Sequence, residues 1–249
     1  FCLSRGLGDV YKRQDNISHL MATILNIETS TDTCSAALTD DGAVLCHRED
    51  FGGRNHAALL SLFVKDCLDH AREHELKLSA VAVSLGPGSY TGLRIGLSEA
   101  KGLAYSLGIP LIGIPTLKLL AVEAMFSAEY DGQEFFIPMI DARRMEVYTA
   151  VYDTALNVVA EPQAMILDSG SFAGLLESGR AVIVGNGAGK ASGVIDSPNA
   201  QFMPDVAPLA SGMIALAEQA WHRRDFIDTA YSTPLYIKDF QALKPRRPF

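Results

Sequence analysis

The chain has 249 residues, 48% of them hydrophobic and 20% charged, with a formal net charge of −8. That length suits one large domain or two small ones, and no apolar run reaches the roughly 18 residues of a membrane-spanning helix. A net-acidic surface does not hold nucleic acid by counterion release over its whole extent. Cys34, Cys46 and Cys67 are scattered singly with no CxxC pair, which points to free thiols in a reducing compartment rather than to zinc or disulfides.

The first twenty residues, FCLSRGLGDVYKRQDNISHL, lack hydrophobic periodicity and the apolar core of a signal peptide. Within them DVYKRQ back-translates as GATGTGTATAAGAGACAG, similar to a transposon adapter used in sequencing libraries. Residues 1–20 are therefore expected to be a non-native leader, with Met21 as the start. From Ile24 the pattern becomes regular. Strands are predicted over Ile24–Glu28, Cys34–Thr39 and Ala43–Arg48, the last two joined by the hairpin dipeptide Asp41–Gly42. Asn55 can cap a helix from His56 to Glu75, whose apolar residues Leu59, Leu60, Phe63, Val64, Cys67, Leu68 and Ala71 recur at spacings of three and four. A buried strand at Ala80–Leu85 leads through a glycine loop into a helix over Thr91–Leu107. A strand at Pro110–Ile114 and a helix from Thr116 to Met125 follow.

The same order then recurs without visible sequence identity. Strands are predicted at Phe135–Asp141, Glu146–Asp153 and Leu156–Glu161, a short helix at Ser171–Glu177, a strand at Ala181–Gly185 and a helix at Leu209–Arg223. Three antiparallel strands followed by helices over a partly parallel sheet, occurring twice, is an α/β fold with a cleft between two halves. The order matches the duplicated actin-like architecture (the RNase H-like, ββαβα-type unit of sugar kinases and heat-shock ATPases) and neither a Rossmann fold nor a barrel. The expected division is an N-terminal subdomain over 21–107, a C-terminal subdomain over 108–208, a helix over 209–225 and a tail over 226–249. That tail ends in the basic KPRRPF, which reads either as a solvated tail or as a local RNA or partner contact.

Four stretches could carry chemistry. In SLGPGSYTGLRIG, Gly86, Gly88 and Gly92 are spaced GxGxxxG, one residue away from the dinucleotide fingerprint, and no Gly-Lys-Ser/Thr follows. The loop could bind an anion at a helix N-terminus or serve close packing. Glu28, Thr29 and Ser30 at the first hairpin, with Asp141 at the equivalent turn, could position a metal–nucleotide. Ordinary turn chemistry is the alternative. Gly185 and Gly187 in GNGAGK resemble a phosphate loop without Walker spacing. Together these six positions form a candidate cleft site for ATP or ADP with Mg, which could otherwise sit at a partner interface. Finally, His70 and His74 have the HxxEH spacing of an inverted zinc-protease motif. They lie at the polar margin of their helix with no third ligand to nominate, so a solvated helix end is the simpler reading. There is no GxSxG serine nucleophile.

ILNIETSTDTCSAAL, RNHAALL, SLGPGSYTGLRIGLSEAKGLA, IGIPTLKLLA, IDARRMEVY and TPLYIK together resemble the TsaB (YeaZ) family over Ala22–Lys238. That family supplies the dimerisation subunit for threonylcarbamoyladenosine synthesis at position 37 of bacterial tRNA. Its catalytic paralogue TsaD carries an HxxxH metal motif on the helix after the strand that reads PLIGI here. Residues Pro115–Ala121 contain no histidine, so the resemblance implies no catalytic residues and no metal of this chain's own. It implies docking to TsaD through the two helices of the N-terminal half, with TsaE joining the assembly and tRNA reached only through the complex. It also implies a homodimer when the chain is alone, no membrane contact and a cytoplasmic setting. Leu59, Leu62, Phe63, Leu97 and Lys101 are the contacts expected on that face, and intramolecular packing must claim part of each helix. The readings left beside it are an actin-fold ATPase or kinase and, more remotely, a zinc metalloprotease.

Overall fold

The computed structural model describes residues 22–53, 55–127 and 134–238. The suspected leader and the terminal KPRRPF lie outside the described residues. Ten strands form two five-stranded sheets. The first contains β1 (Thr23–Glu28), β2 (Cys34–Asp40), β3 (Ala43–Asp50), β4 (Ala80–Gly86) and β5 (Leu111–Pro115), in the order β3-β2-β1-β4-β5. The second contains β6 (Glu134–Asp141), β7 (Glu146–Tyr152), β8 (Val158–Ile166), β9 (Arg180–Val184) and β10 (Ala200–Met203), in the order β10-β9-β6-β7-β8. In each sheet the first strand pairs antiparallel with the second and parallel with the fourth. The duplicated, actin-like α/β architecture expected from the element order is therefore present.

Alternation along the strands sorts the core into layers. Leu25, Ile27, Ala36, Leu38, Val81 and Val83 join one cluster with α1 (His56–Glu73) and α2 (Tyr90–Leu107). Ala22, Ile24, Ala80, Ala82, Ile112 and Ile114 point the other way, toward α3 (Thr116–Ser127). The α3 sequence, TLKLLAVEAMFS, is apolar nearly all round, as a helix buried on every side must be. Its Leu119 and Val122 pack on the first sheet, while Leu117, Leu120, Ala121 and Ala124 pack on Phe136, Ile140, Ala150 and Val182 of the second. One helix thus serves as core for both halves. The far face of the second sheet is covered by α4 (Ala173–Ser178), the single turn α5 (Ala188–Ala191) and the loops around them. The last helix, α6 (Ile214–Arg223), returns to the first sheet through Leu216 and Ala217.

Two expectations change. β5 pairs with β4 along Val81–Ser84, so the first sheet extends past the 107/108 boundary, because the crossover helix α2 must return a strand to the sheet it left. β10 and α5 have no counterpart in the sequence reading. AQFM is only four residues long and has no periodicity of its own; it becomes a strand by pairing parallel with β9.

Candidate functional site

The glycine loop is a packing device. Ser89 caps α2, its Oγ accepting from Gly92 N at 3.3 Å. Added Cβ atoms at Gly88, Gly92 and Gly96 would collide with Ser30 O, Thr29 O and Thr29 Oγ1 respectively. The three glycines let α2 lie directly against the β1–β2 turn. Hydrogen bonds fix the contact: Ser89 N donates to Ser30 O at 2.6 Å, and Thr29 Oγ1 donates to Gly92 O at 2.8 Å. Gly86, at φ +104° before a cis Pro87, donates its N–H to Thr116 Oγ1 at 3.1 Å. The N–H groups of Gly86, Ser89 and Gly92 thus have partners within the chain.

The cleft residues are also largely enclosed. Glu28, Thr29 and Ser30 are each 0% exposed. Burial pushes the Glu28 carboxyl up to about 7, against the opposing pull of hydrogen bonds from Ser30 and Ser84. Gly185 (φ +100°) and Gly187 abut Met139, and their N–H groups donate to Met203 O at 3.1 Å and Met139 O at 3.0 Å. Asp141 alone faces solvent, its side chain 39% exposed and paired with Lys190 at 2.7 Å. Between the halves, the turn Thr31–Thr33 faces Asn186 and residues Pro204–Val206 across a cavity of about 100 Å³. Ligand pockets begin near ~300 Å³. The six positions nominated for ATP or ADP with Mg therefore do not fit that group: three are sealed, two are backbone packing sites and the space is small.

The two-helix face presents the opposite picture. A groove of about 580 Å³ runs between α1 and α2, with Ala57, Leu60 and Ser61 on one wall and Tyr90, Arg94 and Ile95 on the other. The small residues Ala57 and Ser61 of α1 and Thr91 and Ser98 of α2 also line it. Ser61 Oγ donates to Glu99 Oε2 across it at 3.3 Å. Of the five expected contacts, Leu62 is 57% exposed on α1, while Leu59 and Phe63 are half-buried beside it. Leu97 is corrected: it is 4% exposed and belongs to the core beneath α2. Its i, i+4 relation to Leu93 and near repeat with Ala100 and Ala104 place it on the inward stripe. Lys101 is also claimed within the chain, its Nζ donating to Ala230 O at 3.0 Å and Ser232 O at 2.7 Å.

Lys101 binds a C-terminal strap that the sequence reading missed. Ile227 N donates to Leu111 O at 2.9 Å and Leu235 N to Leu85 O at 2.7 Å, so residues 227–235 run along the first half. Tyr236 then completes a stack at the groove rim. Its ring lies 5.3 Å from that of Tyr90, its hydroxyl accepts from Arg94 Nε at 3.2 Å, and the Arg94 guanidinium sits 4.2 Å above Tyr90. The signal for the Tyr90–Arg94 half was available, since the two are one helical turn apart. Beyond the rim Lys238 pairs with Glu146 of the second half. At the C-terminal end of α1, the rings of His70 and of the capping His74 lie 4.3 Å apart, and no cluster of three or more metal-binding side chains occurs among the described residues. Among the same residues no helix is long and apolar enough to cross a membrane.

Comparison with known proteins agrees with this architecture. The family model described as TsaD, tRNA N6-adenosine threonylcarbamoyltransferase, matches residues 47–175. The tRNA threonylcarbamoyladenosine biosynthesis protein TsaB of Escherichia coli K12 is 32% identical over 231 residues, covering 89% of this chain and 96% of the relative. Its namesake from Bacillus subtilis 168 is 38% identical over 150 residues, 59% of this chain and 63% of that protein. Among solved structures, YeaZ from Pseudomonas aeruginosa superposes with a TM-score of 0.75 at 28% identity, covering 86% of this chain and 99% of that one. With matching element order, matching fold and nearly full-length similarity, the chain belongs to the TsaB (YeaZ) family of tRNA threonylcarbamoyladenosine biosynthesis proteins.

Proposed function

We propose that this chain is a non-catalytic partner subunit that binds and activates TsaD, together with TsaE, in threonylcarbamoyl transfer to adenosine 37 of tRNAs reading ANN codons. The observation that carries the reading is the contrast between an interdomain cavity of about 100 Å³ and a groove of about 580 Å³ between two 18-residue helices. A protein working on a small substrate needs the cleft; one working through a partner needs the face. Leu62, Leu59 and Phe63 supply the apolar side chains for that contact, and the groove beside them receives side chains from the partner. The same face pairs two copies of this chain when TsaD is absent. Reaction and tRNA contact then belong to the assembled complex, in the cytoplasm.

Reconstitution with TsaD, TsaE, threonylcarbamoyl-adenylate and tRNA tests the proposal. Omitting this chain is expected to abolish modification; full modification without it overturns the reading. Leu62→Asp places a charge at an exposed position, where substitutions usually leave stability within about 0.5 kcal/mol. It is expected to weaken TsaD binding on the order of 30-fold, as loss of an interface anchor does. Unchanged affinity in titration calorimetry would remove α1 from the interface.

A further inference from the structure

Cys46 and Cys67 are brought together by two different elements. Cys46 on β3 pairs with Leu38 on β2, and cross-strand partners share one face of the sheet. That face is the one covered by α1, because Leu38 packs in the same cluster as Leu60, Val64 and Cys67. Two residues further along β3, on the same face, Arg48 Nε donates to Asp66 Oδ2 at 2.9 Å, and Asp66 is the neighbour of Cys67. Cys46 packs against the core cluster that contains Cys67. Cys67 is 0% exposed and Cys46 is half-buried. All three are free, and Cys34 lies at the far end of β2 opposite Asp50.

We infer that Cys46 and Cys67 form a redox-sensitive dithiol, which a peroxide closes into a disulfide that staples the edge strand β3 to α1. The less buried partner reacts first. The Cys46 sulfur, as thiolate, attacks a peroxide oxygen; an S–O bond forms, the O–O bond breaks, and with a proton taken from solvent the products are a sulfenic acid and water. The Cys67 sulfur then attacks the Cys46 sulfur; the S–S bond forms, the S–O bond breaks, and hydroxide leaves with the Cys67 proton as a second water. Two sulfurs together lose two electrons, and one peroxide becomes two waters. The division of labour follows from the surroundings: burial pushes the Cys67 thiol up to about 12, with Cys46 adding to the rise, so Cys67 resolves rather than initiates. Thiol reductants reopen the bridge, and in a reducing compartment the pair rests open.

The test treats the full chain with hydrogen peroxide, stops the reaction with acid, alkylates under denaturing conditions and maps the peptides. The expected result is a Cys46–Cys67 crosslink, a mass lower by about 2 Da from loss of two hydrogens, reversal by dithiothreitol, and Cys34 alkylated throughout. In Cys46→Ser, which alters a half-buried site and leaves the helix core intact, Cys67 is expected to stay reduced and alkylatable. Cys46 found joined to Cys2 or to a second chain, sulfinic acid at Cys46 without a crosslink, or Cys67 oxidised in the Cys46→Ser protein would each overturn the inference. So would two thiols that remain alkylatable at peroxide concentrations that form a disulfide in a control dithiol peptide.

Discussion

The two halves share a strand order but differ in what surrounds it. Between the third and fourth strands the first half inserts 18-residue α1, and the second half inserts six-residue α4. Between the fourth and fifth strands, the first half has 18-residue α2 where the second has the four-residue α5. The leading strands diverge as well: β1 ends in Glu28, sealed at 0% exposure, and β6 ends in Asp141, half open to solvent and paired with Lys190. Duplication therefore preserved the hydrogen-bonded sheet, where each strand constrains its neighbours, and left the connections free to shrink or grow. The half that kept long helices owns the open groove.

The sharpest way to break this comparison is at the helix that makes the first half distinctive. Gly92→Val drives a branched side chain into Thr29 O and is expected to cost about 3 kcal/mol in urea unfolding, at the upper end of overpacking. A loss under about 1 kcal/mol would mean that α2 is not seated on the 29–30 turn. Next in size is Glu28. Its folded value of about 7 lies above the ordinary 4.5, so between these values the folded state holds a proton that the unfolded chain has released. Stability should fall as pH rises from 4.5 toward 7 and then level off. Glu123, also pushed up to about 7 by burial, adds a second contribution of the same sign. Glu28→Gln, which mimics the protonated acid, should match the parent at pH 5 and exceed it on the order of 2 kcal/mol at pH 8. Equal stability of the two proteins at both pH values would place Glu28 in water.

A smaller effect is expected from Gly102→Ala, on the outer side of α2 with nothing within 4 Å of the added methyl. It should stabilise by about 0.5–1 kcal/mol through helix propensity alone, read as a rise in Tm. Smallest is Asp141→Asn, the second half's counterpart to the Glu28 change. It removes an exposed ion pair and should cost less than about 1 kcal/mol, a loss that fades in high salt.

Much of the first half was legible from residues alone, since its strands alternate cleanly and α1 repeats its apolar side chains at helical spacing. Family motifs along nearly the whole chain made its membership legible too. The second half was less so: β10 exists because β9 offers it an edge, and a pairing partner leaves no mark on four residues. Individual surface positions were the least legible. Leu62 and Leu97 are the same residue type on neighbouring helices, yet one faces water and the other lines the core. Only the rotation of each helix about its axis separates them. The role of Gly88, Gly92 and Gly96 depended on what approaches from β1, and the 63 positions between Thr29 and Gly92 are no guide to a contact made through space.

The shared helix α3 has a mechanical consequence. Two-lobed proteins that clasp ligands open and shut about a hinge. Here, parting the sheets would strip Leu117, Leu120, Ala121 and Ala124 from one lobe or the other. At about 25 cal/mol for each Å² uncovered, exposing even ~100 Å² would cost about 2.5 kcal/mol. The lobes are glued through a common filling that opposes their parting, so a partner of the kind proposed for the outer helices would find them already in place, at little cost in freedom.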